Sequence, residues 1–114
     1  MEKRLISSYD EINDTFVGKI DGENGYCADY GISDGVFLGI NNANFPSRVF
    51  VFNASKFLNT SKETLESADV KISINCNGSY LYFDIFIENS RIFSTKCKNK
   101  FGIPNLDYII DSNY

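Results

Sequence analysis

The chain has 114 residues, 43% of them hydrophobic and 23% charged, which fits one folded domain and argues against a disordered segment. The formal net charge is −4, and there is no histidine. That absence excludes Ser-His-Asp and Cys-His nucleophile pairs, histidine proton shuttles and every metal site that needs an imidazole.

The opening residues, Met1 to Ser8, carry charge without an apolar run behind them, so no secretory signal is expected. No stretch approaches the ~20 apolar residues of a membrane span, so no membrane association is expected and the cytoplasm is the expected compartment. Short strands separated by turn signals follow. Lys3 to Tyr9 is the first predicted strand, closed by the turn-forming run Asp10 to Asp14. Thr15 to Ile20 is the second, weakened at Gly18, and Asp21 to Gly25 is a turn. Tyr26 to Tyr30 is the third, Ser33-Asp34-Gly35 turns again, and Val36 to Ile40 is the fourth. After the polar loop Asn41 to Ser47, Arg48 to Phe52 is the fifth. This spacing predicts a meander.

Helix is scarce. Ala54 to Leu58 reads as a short helix capped by Asn53, and Thr60-Ser61-Lys62-Glu63 has the capping-box spacing, with Thr60 as cap, before a second short helix to Ser67. Both are too short to stand alone and are expected to pack on the sheet.

Asn77-Gly78 predicts a type I′ hairpin, placing Cys76 opposite Ser79, Ile74 opposite Leu81, Ser73 opposite Tyr82 and Lys71 opposite Asp84. One face then collects Val70, Ile72, Ile74, Leu81, Phe83 and Ile85. A further turn at Asn89-Ser90 sets Phe86 opposite Phe93, both on the other face, where they are candidates for an interface with a partner or a second copy. Residues 98–105 form a basic loop, and Leu106 to Asp111 is apolar enough to dock as a last strand or short helix.

Candidate chemistry is sparse. Residues 1–40 hold eight acids (Glu2, Asp10, Glu11, Asp14, Asp21, Glu23, Asp29, Asp34) against three bases, whereas the remainder holds seven acids and eight bases. The six carboxylates Asp10, Asp14, Asp21, Glu23, Asp29 and Asp34 form the candidate contact face for a basic partner, and phosphate would be repelled there. Arg91, Lys96, Lys98 and Lys100 make the basic cluster, with no acid among residues 91–100. Cys27, Cys76 and Cys97 show no Cys-x-x-Cys spacing and are expected as buried small hydrophobes. No metal site, cofactor or catalytic residue is expected. The ten Phe and seven Tyr could stack bases, but those of residues 9–45 sit among acids, so packing is expected and direct nucleic-acid binding is not.

The N-terminal half resembles a small prokaryotic family, the domain-of-unknown-function family 2283. The residues that carry the likeness are Tyr9-Asp10-x-x-x-Asp14-Thr15-Phe16-Val17, Asp34-Gly35-Val36-Phe37-Leu38-Gly39-Ile40 and Val49-Phe50-Val51-Phe52-Asn53-Ala54-Ser55. It covers roughly residues 5–58, with an insertion at Asn41 to Ser47 and a C-terminal extension. The resemblance implies a small sheet with a packed short helix, and no activity or site.

The expectation is a single α+β domain over 1–114, a mostly antiparallel β meander with one or two short helices packed on the sheet. Its parts are the family-like strands and helix (5–58), a helix with antiparallel hairpins (61–97) and a docked terminal segment (98–114). The expected function is a non-enzymatic protein-interaction module, which could also act as a homodimer. The alternatives are a phage or mobile-element inhibitor of a nucleic-acid-processing defence enzyme, a small-ligand carrier, and a weak acid–base enzyme using carboxylates.

Overall fold

The computed structural model describes residues 1–114. In chain order the elements are β1 (Glu2–Asp10), β2 (Thr15–Ile20), β3 (Ala28–Ser33), β4 (Val36–Ile40), β5 (Pro46–Phe52), α1 (Ala54–Phe57), α2 (Lys62–Ser67), β6 (Val70–Cys76), β7 (Tyr80–Ile87), β8 (Ser90–Lys98) and β9 (Leu106–Asp111). The α+β class with mostly antiparallel strands is as expected.

The connectivity is more than a meander. All nine strands join one sheet in the order β3-β4-β5-β2-β1-β9-β6-β7-β8. β2 reaches over to β5, and β9 inserts between β1 and β6. The β1–β9 pairing is parallel and short, running from Glu2 opposite Ile109 to Arg4 opposite Asp111. The sheet curls until its outermost strands, β3 and β8, touch, giving a near-barrel. Alternate residues of each strand point inward, as the period of two requires. They build one core that includes Leu5, Phe16, Leu38, Val49, Ile72, Phe83 and Ile110.

Phe101, from the loop after β8, stacks on Tyr30 of β3, and Ile103 from the same loop is buried. The α1–α2 segment folds over the curled sheet rather than lying along it. Its Leu58 and Leu65 meet Phe16, Val70, Ile85 and Ile87 around a void of about 10 Å³. No helix is long and apolar enough to cross a membrane.

Local chemistry corrects four expectations. In the β6–β7 hairpin the central turn residues are Gly78 and Ser79, because only Gly78 takes a positive φ (91°). Gly at the first central position is the type II′ pattern. The Asn77 side chain instead accepts from the Ser79 and Tyr80 amides, at 3.2 and 3.0 Å. Every pair therefore moves by two residues: Cys76 faces Leu81, Ser73 faces Asp84 and Lys71 faces Phe86. A shift of two preserves side-chain parity, so the predicted apolar face survives.

In the β7–β8 hairpin, Glu88 and Asn89 both have positive φ and form the turn. Phe86 then pairs with Arg91 while Ile85 pairs with Phe93, leaving Ile92 as the extra residue of a bulge. The bulge turns Phe93 inward, where it packs on Phe57 and Phe83. Phe86 and Phe93 thus lie on opposite faces and share no interface.

The cap of α2 is Ser61, whose hydroxyl oxygen accepts from the Thr64 amide at 3.1 Å; Thr60 does not serve. Finally, Cys27 is exposed, because β3 begins at Ala28 and the segment before it forms no strand; Cys76 is buried and Cys97 is half-buried.

Candidate functional site

The six carboxylates do not assemble into one face. Asp14 and Asp21 bracket β2, so they sit at opposite ends of an extended run of roughly 23 Å. Asp10 closes its own turn: it accepts from the Ile12 and Asn13 amides and, at 2.7 Å, from the Asn13 side-chain amide. The Asn13 side chain and then its backbone amide hold the Asp10 carboxyl below its ordinary value.

Asp14 is buried rather than presented to solvent. Its carboxylate accepts from the Tyr9 hydroxyl at 2.6 Å, the Ser55 amide at 3.0 Å and the Ser55 hydroxyl at 2.7 Å. Burial pushes this carboxyl upward, but the bonds from Tyr9 and Ser55 together outweigh it, so the group lies below the ordinary value. Asp14 also does the work expected of Asn53. The Asn53 side chain makes no cap bond, while the Asp14 carbonyl and carboxylate take the first two amides of α1, those of Ala54 and Ser55. The Tyr9–Asp14 and Asn53–Ser55 segments are therefore two sides of one structural pin.

Glu23 is engaged as well, with Lys3 Nζ at 3.8 Å and the Tyr108 hydroxyl donating to Oε2 at 3.3 Å. Asp29 accepts from the Tyr26 hydroxyl at 2.9 Å, and Asp34 is exposed in the β3–β4 turn. Asp21 is exposed at the far end of β2.

The outer face of β4 and β5 carries a different assembly. Val36, Leu38, Val49 and Val51 point inward, so Phe37, Phe50 and Phe52 are thrown outward by the pleat. Phe37 pairs with Phe50 across the strands. The Phe37 and Phe52 rings meet edge-on with centroids 5.5 Å apart, and Phe50 and Phe52 lie nearly parallel at 6.4 Å. Phe52 remains 43% exposed.

These rings wall a shallow depression of about 330 Å³ together with Asp29. On the other side of Phe52 lies a second depression of about 450 Å³, lined by Asp34, Gly35, Asn53, Lys56 and Phe57. The rim mixes charges. Asp29, Gly39 and Arg48 lie in one cross-strand row, and Gly39 permits the packing because a Cβ there would meet Arg48 Cγ at 2.6 Å. The Arg48 guanidinium sits 5.3 Å from the Tyr26 ring centre.

Phe37, Phe50 and Phe52 were legible in the sequence only as alternate residues of two apolar strands. Which alternate set faces out depends on where the rest of the barrel lies. No family model, no curated protein and no solved structure matches this chain.

Proposed function

We propose that this chain is a protein-interaction module acting in the cytoplasm, and that its contact surface is the outer aromatic face of β4–β5. One observation carries the reading. Phe37, Phe50 and Phe52 cluster on the solvent side of a sheet whose inner side is already filled. Clustered aromatic rings inside a polar rim are the composition of an interface centre, where aromatic anchors contribute most of the binding energy. The fitting partner is a protein segment that offers apolar side chains to the two depressions and a basic group to Asp34.

The acidic face as first drawn loses support, because Asp10, Asp14 and Glu23 spend their oxygens on internal hydrogen bonds. The inhibitor reading weakens with it, since it needs carboxylates arrayed like phosphates. A ligand carrier would need an interior space, and the void between the helices and the sheet has room for no more than about one water. Acid–base work at neutral pH calls for a raised carboxyl, and Asp10 and Asp14 are held low.

The test is affinity capture from a lysate of the source organism, read by mass spectrometry, with wild type, Phe50→Asp and Phe52→Asp side by side. A protein retained by wild type and lost from both variants supports the reading, provided thermal melts show the variants folded. Identical captured sets from all three overturn it.

A further inference from the structure

A second exposed surface lies on the other half of the sheet, and it is independent of the aromatic face of β4–β5. On the outward side of β7 and β8, Tyr80 stands opposite Lys98, and Tyr82 opposite Lys96. Lys96 Nζ lies 4.2 Å from the Tyr80 ring centre and 5.6 Å from that of Tyr82, so one ammonium serves two rings. Tyr80 is 37% exposed, Tyr82 is half-buried, and Lys96, Lys98 and Lys100 are all exposed. The acids that share the outward face of this half are Asp84, opposite Ser94, Asp107, opposite Asn75, and Asp111, opposite Lys71. No acid interrupts residues 91–100.

We propose that this strip binds single-stranded nucleic acid. Tyr80 and Tyr82 are two residues apart on one strand, which sets their rings roughly 6.5–7 Å apart along it. That spacing matches one extended nucleotide unit, so two successive bases each meet a ring. Lys96 moves from the ring faces to a phosphate, and Lys98 and Lys100 meet the neighbouring phosphates. Aromatic rings in line beside a row of ammonium groups are what sequence-tolerant recognition of a single strand requires. A duplex hides its base faces and offers the rings nothing. An acidic protein segment would engage the lysines but leave the tyrosines without a role.

The test is fluorescence anisotropy of a labelled ten-nucleotide oligothymidylate titrated with the full chain at low and moderate salt. Binding is expected to fall as salt rises, with a log–log slope of about −2 for three neutralised phosphates. Tyr80→Ala and Tyr82→Ala are each expected to weaken it by roughly 5- to 150-fold, and Tyr82→Phe to preserve it. Tyr80 starts its strand at the surface, so Tyr80→Ala remains informative even if Tyr82→Ala fails to fold. Absence of binding at low salt overturns the proposal. So does binding that both tyrosine variants leave unchanged and that polyglutamate competes as well as unlabelled oligonucleotide does; that result would assign the lysines to an acidic protein.

Discussion

Asp14 and Ser55 are 41 residues apart in the chain, yet the Asp14 carboxylate takes both the amide and the hydroxyl of Ser55, at 3.0 and 2.7 Å. This contact fastens the β1–β2 turn to the start of α1 and so closes the helical segment onto the barrel. Asp14 itself holds a positive φ of 51°. Asp14→Ala removes a hydrogen-bonded charge and puts a Cβ-bearing residue without side-chain compensation in the left-handed region, at an expected cost of roughly 2–4 kcal/mol. Asp14→Asn keeps an acceptor oxygen and tolerates that backbone, so it loses less. Urea unfolding of the two variants checks the order.

The same carboxylate sets an acid dependence. Its folded value lies below the ordinary one, so its contribution is present above about pH 4 and disappears as pH falls through the folded value. The stability gap between wild type and Asp14→Asn, measured by urea unfolding near pH 7 and again near pH 3, is expected to shrink at the lower pH. A gap that stays constant would show that the charge is irrelevant.

Two phenols are expected to ionise late. Burial first, then the Asp14 hydrogen bond and charge, pushes Tyr9 up to about 12. Burial first, then the charge and hydrogen bond of Glu23, pushes Tyr108 up to about 12. Their contribution to stability is complete below the ordinary phenol value near 10 and is lost as pH rises toward 12. In a phenolate absorbance titration, Tyr9→Phe and Tyr108→Phe should each delete amplitude from the late phase and leave the early phase unchanged.

The β6–β7 turn discriminates between its two central residues. Gly78→Ala places a Cβ at a φ of 91° and is expected to cost roughly 1–2 kcal/mol, whereas Ser79→Ala should stay within about 0.5 kcal/mol of wild type. Thermal unfolding of the pair measures this. Equal, small losses from both would contradict the turn described here.

Gly18 faces the core rather than weakening a surface strand. A Cβ there would stand 2.8 Å from Leu5 Cδ1 and 3.8 Å from Ile72 Cδ1. Gly18→Val therefore overpacks the junction between the two halves of the sheet and should cost roughly 1–3 kcal/mol, with Leu5→Ala in the same chain recovering part of it. A Gly18→Val chain as stable as wild type in urea would place that side chain outside the core.

The strands Thr15–Ile20 and Val36–Ile40 were readable to the residue, because each is a short apolar run fenced by Asp, Asn and Gly. Leu106–Asp111 was readable as a docked element, but its neighbours were not. Nothing local in six residues says that they will lie parallel to the first strand. Phe93 was misplaced because one bulged residue, Ile92, reverses the parity of everything beyond it. The Asp14–Ser55 pin was invisible for a related reason. Both segments looked like ordinary turn and cap chemistry, and only the fold shows that one caps the other. The aromatic face on β4–β5 and the tyrosine–lysine strip on β7–β8 depend on which side of each strand is outside, which is a property of barrel closure.

The insertion of β9 makes the molecule two hairpin-built halves, β1–β5 and β6–β9, joined along the sheet by three residue pairs. Within each half, strands are zipped over longer stretches by antiparallel ladders. Amide exchange should therefore register two blocks of slow protons with a faster band at Glu2–Arg4 and Ile109–Asp111 between them. Opening along that band alone would leave the blocks held together by the β3–β8 contact and the core they share, so the band can fray while both surfaces keep their place.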